Sequence, residues 1–344
     1  MNPYKSQPEK AFWRPAVAER HYADLKEMWT PLNLSRADRI ATAGSCFAQH
    51  IGNNLAKRGA NFLDLEPAPP MFDGIDEARR WGFGVFSCRY GNIYTTRQLI
   101  QLFDEAFGER TPCEHAWEKN GRFYDALRPS VDPVGQESVD AILALRKVHL
   151  AAVRKMFETL DLFVFTLGLT EGWESVEDGT MFPMAPGTIA GSFDPARYRF
   201  RNLRHAEILR DMQDFRNRLL SINPKARTLL TVSPVPLTAT ATDEHVLPAT
   251  VYSKSVLRGV AGEMAEDFED VTYFPSYEIV SSHPSRGMFF NPDQRTVNGY
   301  GVDYVMSHFF SGQMKQEFQL NSAESSSKEL DLICDEEKLD PVAK

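Results

Sequence analysis

The sequence predicts an α/β fold in which a central parallel β-sheet is covered by helices on both faces. Three short runs that carry apolar residues and at most one charged residue each, at 40–43, 160–168 and 227–233, are typical of buried strands in such a sheet. Segments with apolar residues at helical spacing separate these runs. Strands and helices that alternate in this way predict parallel strands joined by crossover helices.

The first predicted strand, 40–43, leads into a sharp turn and then into a helix. Gly44 permits the tight backbone turn, and the apolar residues that follow recur at helical spacing: Phe47, Ile51 and Leu55. Ser45 therefore stands between the strand and the helix, at the helix N-terminus. Unpaired N–H groups and the helix dipole favour negative charge at that position.

The rest of the chain divides into predicted elements of the same kinds. They are a short strand around 61–65, a long structured loop over 67–96, a helix over 96–108, turns or a hairpin over 109–136, a helix over 137–158, the strand 160–168, a Gly- and Pro-rich loop over 172–194, a helix over 206–221, the strand 227–233, a helix over 251–268, a strand over 270–274 and a helix over 301–310. Residues 1–38 are expected to pack on this body without forming a domain, and the α/β domain is expected to span 39–312. The polar, acidic and serine-rich segment 321–344 predicts a flexible tail that is disordered or loosely docked.

The composition limits the class of protein. A net charge of −9 and the lack of any run of lysines and arginines argue against a nucleic-acid-binding surface. The chain has no apolar run of about 18 residues, as a membrane span requires, and its polar first residues do not resemble a secretion signal. The four cysteines are widely separated and lack metal-ligand spacing, which predicts a cytoplasmic protein with reduced thiols and no bound metal. No glycine-rich phosphate-binding motif follows a predicted strand, so we expect no nucleotide cofactor.

Polar residues follow the ends of three predicted strands. Ser45 follows the first strand, Gly168 and Glu171 follow the second, and Ser233 follows the third. The carboxyl ends of parallel strands lie along one edge of a sheet, where ligands bind in folds of this kind. A serine before a helix is ordinarily only an N-cap, and this convergence favours a nucleophilic role for Ser45 instead.

The motif Thr42-Ala43-Gly44-Ser45-Cys46-Phe47-Ala48 resembles the one that names the GSCFA family, a branch of the SGNH/GDSL hydrolase-like superfamily. Four further segments resemble the successive blocks of that family, in order along the chain: 89–94, 166–171, 231–235 and 273–278. The resemblance extends over roughly 39–310. It implies a flavodoxin-like, three-layer α/β/α sandwich.

The resemblance also implies that Ser45 attacks an ester carbonyl and forms an acyl-enzyme. It implies an oxyanion site made of the Ser45 N–H, the Gly91 N–H and an asparagine side chain. The sequence has Gly168-Leu169-Thr170-Glu171 where the superfamily has Gly-x-Asn-Asp, so Thr170 stands at the asparagine position. Thr170 still carries a donor, with a shorter reach, and Asn92 is the alternative source of the amide.

The general base is not fixed by the sequence, because the Asp-x-x-His pattern of the superfamily is missing from the expected region. His245 is our first candidate, since it lies in the loop 238–248 after a predicted strand end and a base has to reach the nucleophile. His283 is the second candidate and His308 a distant third. The acidic partner of the base is left open between Asp243, Glu171 and Asp293.

These residues predict a serine-dependent esterase or acyltransferase of SGNH type that acts on an O-acyl ester. The family resemblance suggests a glycan or polysaccharide precursor as the substrate. Cys46 is an alternative nucleophile, although a cysteine at an apolar helix start is more often a small hydrophobe. Arg89, Arg97 and Lys254 are alternatives for binding an anionic substrate group, and a Ser-Lys mechanism is disfavoured because Lys254 has no SxxK spacing.

The competing hypothesis is a non-catalytic binding or scaffold protein that has kept the sandwich and lost the general base. The missing Asp-x-x-His pattern motivates it. In either case the acidic C-terminal tail is a candidate segment for binding a protein partner.

Overall fold

The computed structural model describes residues 2–318 and 334–340. Its strands are β1 (Ile40–Gly44), β2 (Ala116–Lys119), β3 (Arg122–Asp125), β4 (Leu162–Leu167), β5 (Glu171–Ser175), β6 (Met181–Phe182), β7 (Tyr198–Asn202), β8 (Arg227–Val232) and β9 (Val271–Phe274). Its α-helices are α1 (Ala48–Lys57), α2 (Ile75–Arg80), α3 (Thr96–Ala106), α4 (Val139–Thr159), α5 (His205–Ile222), α6 (Val246–Asp267), α7 (Ser276–Ser281), α8 (Gly299–Phe309) and α9 (Gln313–Glu317). None of the described helices is long and apolar enough to cross a membrane.

The central sheet is parallel and has the spatial order β1-β4-β8-β9. Strand β4 is buried along its whole length because helices cover it on both faces. Its alternate side chains enter two different hydrophobic clusters: Phe163 and Phe165 pack on one face of the sheet, and Leu162 and Val164 pack on the other. The predicted parallel sheet between two layers of helices is confirmed.

The two helical layers are built from different parts of the chain. Helices α3, α4, α5 and α6 cover the face that carries Phe163, and the ring centroids of Phe157 and Phe215 each lie 5.5 Å from the Phe163 ring. Helices α1, α7 and α8 cover the opposite face through a second apolar cluster. Helix α3 begins with a capping box, in which Thr95 and Gln98 satisfy each other's backbone N–H groups. Each helical layer thus covers one apolar face of the sheet.

Three local predictions differ from the structure. The segment 172–194, expected to be a loop, contributes to a small antiparallel sheet in the order β6-β5-β7, whose strands are only two to five residues long. The strand expected around 61–65 makes only one bridge, between Ile40 and Phe62. Helix α6 begins at Val246, earlier than predicted. Pro248 is tolerated in its first turn, because the N–H groups there have no acceptor within the helix and proline therefore loses no hydrogen bond.

The predicted turns or hairpin over 109–136 are present as the antiparallel hairpin of β2 and β3. Its tight turn is made by Asn120 and Gly121, which have φ angles of 53° and 74°. Two consecutive residues with positive φ match the right-handed twist of the flanking strands.

The N-terminal segment up to residue 38 packs on the body through aromatic side chains. Trp29 donates a hydrogen bond from Nε1 to the carbonyl oxygen of His308 over 2.7 Å, and its ring stacks on Phe309. Tyr22 meets the ring of Phe289 edge-on. These contacts agree with a lead-in packed on the body, whereas the domain limits at 38 and 312 stay a prediction.

The turn after β1 depends on a glycine. Gly44 has a φ of +130°, and a Cβ at this residue would lie 2.3 Å from the carbonyl oxygen of Thr166 in β4. The backbones of β1 and β4 therefore lie so close together here that no side chain fits at residue 44. Ser45 follows at once, so its position beside β4 is set by this contact.

Most of the predicted tail, 321–344, lies outside the described residues, namely 321–333 and 341–344. The part at 334–340 is described and is docked, whereas the flexibility of the rest stays a prediction. A turn of 3-10 helix, Asp335–Leu339, packs on the body with Asp335 and Glu336 buried. Composition alone predicts flexibility because it does not show which groups these carboxylates meet.

Candidate active site

Ser45 lies at the carboxyl end of β1, at the start of the turn that leads into α1. The first backbone bond of that turn runs from the Ala48 N–H to the Ser45 carbonyl oxygen over 2.9 Å. The Ser45 side chain is buried, and its Oγ has no hydrogen-bond partner among the described residues. A buried hydroxyl without a partner is costly, so such a group marks a candidate functional position.

The backbone donors near Ser45 are not those that the resemblance implies. The Ser45 N–H donates to the Thr166 carbonyl oxygen over 3.2 Å, which engages it in the sheet. The amides of Cys46 and Phe47 belong instead to the part of a helix start whose N–H groups have no intrahelical partner. These two amides, next to the serine hydroxyl, are the backbone donors that the turn offers to an anion.

The structure brings three of the segments singled out in the sequence together. The Ile93 N–H donates to the Gly44 carbonyl oxygen over 2.9 Å, and the Leu169 N–H donates to the Tyr94 carbonyl oxygen over 2.9 Å. A Cβ on Gly168 would lie 3.0 Å from the Ser45 Cβ, so the backbone after β4 touches the serine directly. Of the predicted convergence at the carboxyl edge of the sheet, the approach of Gly168 to Ser45 is therefore observed.

The side-chain donors proposed for the oxyanion have different surroundings. Asn92 is buried, and its Nδ2 donates to Oδ2 of Asp335 over 2.9 Å. Thr170 is engaged elsewhere, because its hydroxyl donates to the Asn202 side-chain oxygen over 2.6 Å. Gly91 adopts a φ of +69° and packs near Val131. Asn92 is therefore the predicted donor whose amide meets a negatively charged oxygen.

The first-ranked base, His245, is an exposed N-cap of α6. Its Nδ1 accepts a hydrogen bond from the Leu247 N–H over 3.1 Å, which satisfies one of the free donors at that helix start. Asp243, one of its proposed acidic partners, is also exposed. Since Ser45 Oγ has no described partner, no hydrogen bond joins His245 to it in this structure.

The other candidates for the base and its partner are tied to other groups. His283 is exposed and stacks on Trp13 with ring centroids 5.4 Å apart. The third-ranked His308 packs edge-on against Tyr304. Glu171 accepts hydrogen bonds from the Thr240 hydroxyl over 2.7 Å and from the Ala241 N–H, and burial raises the pKa of its carboxyl group.

The other acidic candidate, Asp293, is likewise engaged close to its own position in the chain. Its carboxylate accepts hydrogen bonds from the N–H groups of Arg295 and Thr296 and from the Thr296 hydroxyl. It therefore acts as the acceptor of a local turn.

Lys254 is the residue of this site whose role sequence reasoning missed. Its side chain is 1% exposed, and its Nζ donates to the Gly168 carbonyl oxygen over 2.7 Å. Burial lowers the pKa of the ammonium group to about 8, against the opposing effect of the Glu336 carboxylate. A signal was present in the sequence, because Lys254 shares the buried stripe of α6 with Leu257 and Ala261 at helical spacing.

A second cation, the largely buried Arg295, completes the polar part of the site. It forms an ion pair with Glu336 at 3.1 Å and donates to the Cys334 sulfur over 3.7 Å. The Arg295 Nε is buried and has no partner among the described residues. Nothing in the sequence around Arg295 distinguished it from a surface arginine, so this residue was not predicted.

The other two cations considered in the sequence have structural tasks. Arg89 donates to the backbone oxygens of Trp81 and Val131, and Arg97 is paired with Asp211 at 3.0 Å. Both are therefore engaged within the fold.

Cys46 remains a neutral thiol in this arrangement. A hydrogen bond with Cys334, together with burial, raises the pKa of its side chain well above the ordinary value. The same hydrogen bond and the nearby Arg295 lower the pKa of Cys334. A thiol with a raised pKa is a poor nucleophile, so the structure does not favour Cys46 in that role.

An apolar cavity of roughly 150 Å³ adjoins these groups. Its apolar lining includes Leu169, Trp173, Met184 and Leu237, and its polar lining includes Glu171. The C-terminal segment also borders it, through Glu336 and Leu339. The cavity therefore meets the polar groups through Glu336, which pairs with Arg295, and extends along β5.

The model of the GSCFA family matches residues 39–309, which covers most of the chain. The chain belongs to the GSCFA family. No curated protein and no solved structure matches it. In this GSCFA chain the family motif supplies the turn that presents Ser45, and the matched region also contains Asn92, Gly168, Lys254 and Arg295.

The chemistry available to this GSCFA site follows from the groups it holds. Across residues 2–318 and 334–340, no cluster of three or more histidine, cysteine or acidic side chains is placed to hold a metal ion. A hydroxyl nucleophile, a buried amine with a lowered pKa and a set of N–H donors are the components of serine-dependent acyl transfer.

Proposed function

We propose that this GSCFA protein is a serine-dependent esterase or acyltransferase of the SGNH type, acting on an O-acyl ester. The observation that carries the proposal is the contact of Ser45 with Gly168, whose carbonyl oxygen holds the buried Lys254 amine. A glycan or polysaccharide precursor as the alcohol part of the ester rests on family resemblance alone.

In the proposed reaction, neutral Lys254 takes the proton of the Ser45 hydroxyl as the oxygen attacks the ester carbonyl carbon. The amides of Cys46 and Phe47, with the Asn92 side chain, stabilise the negative charge that develops on the carbonyl oxygen. The protonated amine then gives its proton to the departing alkoxide, which leaves Ser45 acylated. Water or a second alcohol releases the acyl group in the reverse sequence of proton transfers, giving hydrolysis or transfer.

Lys254 replaces the histidines as the proposed base for a geometric reason. A general base has to come within hydrogen-bond reach of the hydroxyl proton. Lys254 reaches the backbone of Gly168, which touches Ser45, whereas the exposed His245 caps a helix. A lysine with a pKa of about 8 also holds a useful neutral fraction near neutral pH.

The decisive experiment is labelling of the purified protein with a fluorophosphonate probe, followed by peptide mapping. We expect a covalent adduct on Ser45, no adduct in Ser45→Ala, and hydrolysis of short-chain aryl esters that is lost in Ser45→Ala. Ser285→Ala is the matched control, because Ser285 is also buried but lies outside the site and donates to the Val280 carbonyl oxygen. An adduct-free protein that also cleaves no ester would contradict the proposal.

A non-catalytic binding protein is the second candidate, and the docking of 334–340 against the site favours it. In that case the pocket serves recognition, and the acidic tail docks a protein partner. The binding function would survive Ser45→Ala in a folded protein. Loss of the cellular role in Ser45→Ala, with unchanged thermal stability, would eliminate this candidate.

A further inference from the structure

We propose that the segment Cys334–Leu339 occupies the Ser45 site as an internal stand-in for the substrate, and that the substrate is an acyl ester that also carries a carboxylate. This inference rests on the proposed function, because only a catalysed reaction makes the ligand a substrate. The docking of the segment and the ligand class that it reveals can be tested without any reaction at Ser45.

The carboxylates of the segment meet donors that belong to the site. Asp335 accepts from Asn92 Nδ2 over 2.9 Å, which places a negatively charged oxygen on a proposed oxyanion donor. Glu336 pairs with Arg295 at 3.1 Å and also accepts from the backbone N–H of Thr238. Both carboxylates are buried, so these contacts are made out of water.

The apolar end of the segment meets the apolar end of the site. Leu339 packs against a small buried cluster that includes Tyr94, Leu169 and Leu237, and it borders the cavity of roughly 150 Å³. The segment therefore presents a carboxylate at one end and a branched aliphatic group at the other. A ligand that replaces it has to combine the same two features.

The fit of the segment is incomplete. Among the described residues, Ser45 Oγ, Arg295 Nε and Asp335 Oδ1 are buried without a hydrogen-bond partner. Each such group costs free energy when it stays unpaired. A substrate whose oxygens accept hydrogen bonds from Ser45 Oγ and Arg295 Nε would pair the two site groups that the docked segment leaves unpaired. This provides the advantage by which the substrate displaces the segment.

Charge explains why the replacement is an anion. Lys254 and Arg295 are both largely buried, and Glu336 is the carboxylate paired with Arg295. Removing one partner of a buried ion pair leaves the other charge uncompensated. The pocket thus requires a negative group whenever the segment leaves, and the planar guanidinium matches a carboxylate in two parallel hydrogen bonds.

The first test measures docking through the reactivity of Cys334 in the full-length protein. Iodoacetamide modification is followed by peptide mass mapping, with the exposed Cys113 as an internal reference. We expect Glu336→Gln to speed alkylation of Cys334 at least about tenfold, since it removes one partner of a buried ion pair. Leu339→Ala is expected to act in the same direction by a separate contact.

Glu337→Gln is the matched control, because Glu337 is the exposed neighbour of Glu336 on the same turn. We expect it to leave the alkylation rate of Cys334 unchanged. Docking is refuted if Glu336→Gln and Leu339→Ala both react like the unmodified chain, or if Glu337→Gln accelerates the reaction equally.

The second test identifies the ligand class by competition. Hexanoate, hexyl phosphate and hexanol share one apolar chain and differ in the head group. We expect millimolar hexanoate to displace the segment and raise the alkylation rate of Cys334 severalfold, and hexanol to have no effect. Equal acceleration by hexyl phosphate would overturn the assignment to a carboxylate, and acceleration by hexanol would overturn the need for an anion.

The two proposals fail in different ways. Ser45→Ala is expected to show the same alkylation pattern as the unmodified chain, because docking does not use the serine hydroxyl. If fluorophosphonate labelling fails while Cys334 responds as described, the proposed reaction is wrong and the binding site stands. If labelling succeeds while Cys334 shows no response, the site is an esterase whose C-terminal segment is not its internal ligand.

Discussion

The ammonium group of Lys254 donates to the carbonyl oxygen of Gly168 across 2.7 Å, inside the protein. Gly168 in turn lies against Ser45, since a Cβ at Gly168 would be 3.0 Å from that of the serine. One backbone unit at the end of β4 therefore connects a buried amine to a buried hydroxyl. The first two predictions below depend on this arrangement.

Lys254→Met tests the amine directly. We expect the rate of fluorophosphonate labelling at Ser45 to fall by about 10²–10⁴, the contribution of a positioned general base. The thermal unfolding temperature is expected to stay level or rise, because methionine fills a similar volume without burying a charge.

Lys119→Met is the control for that change, because Lys119 also donates to a backbone carbonyl oxygen, that of Ile189, over 2.8 Å. It lies on the hairpin outside the site, so labelling of Ser45 is expected to be unaffected. A labelling rate in Lys254→Met equal to that of Lys119→Met would show that the lysine is not the base.

The pH dependence of labelling follows from the pKa of Lys254. Because the pKa is lowered to about 8, the amine is protonated and inactive below that pH and neutral above it. The rate should therefore rise with pH through about 8 and then level off, with a one-proton slope. A histidine base would give a midpoint nearer to about 6.5.

Gly44→Ala is expected to destabilise the protein by about 3 kcal/mol, from overpacking and from strain at positive φ. The added Cβ would lie 2.3 Å from the Thr166 carbonyl oxygen, and the strand contact that holds Ser45 has to open. Urea unfolding measures the change.

Gly74→Ala separates the two causes, because Gly74 has a φ of +99° with no atom within 4 Å of an added Cβ. We expect it to cost only about 1 kcal/mol, from backbone strain alone. Equal losses of stability in the two variants would mean that the close approach of β1 and β4 is unimportant.

Mild oxidation is expected to join Cys46 to Cys334, which share a hydrogen bond. Diamide takes two electrons and two protons from the thiol pair, which becomes a disulfide, and the diamide is reduced to the hydrazine. We expect the linked protein to label poorly at Ser45 and to recover after treatment with dithiothreitol.

Cys334→Ser is the control for oxidation, because it removes one thiol of the pair and leaves Cys46 in place. Labelling in this variant should not respond to diamide. A linked protein, verified by peptide mapping, that still labels at the original rate would show that the segment does not cover Ser45.

Much of the fold was predictable from the sequence, for a definite physical reason. Strands such as β4, buried on both faces, are continuous apolar runs, and long helices carry one apolar stripe, so both patterns are visible along the chain. The sheet of β5, β6 and β7 was missed because its strands are short and its charged side chains pair across the sheet. Glu174, for example, binds Arg199 and Arg201 there.

The site was predictable only where chemistry and local turn geometry coincide. Ser45 was found because glycine and a helix start flank it in the sequence. His245 was ranked first because it follows a predicted strand end, and that position in the sequence does not show that it caps a helix. Arg295 and Glu336 could not be paired in advance, because their contact joins parts of the chain that no local pattern connects.

The docked turn is also part of the same chain as the site it covers, since residues 319–333 connect it to the end of the body. A tethered occupant experiences a local concentration on the order of millimolar, whatever the amount of protein in solution. Diluting the protein therefore leaves the fraction of covered sites unchanged. A free competitor has to overcome this constant local concentration, so its own affinity and abundance decide when Ser45 is exposed.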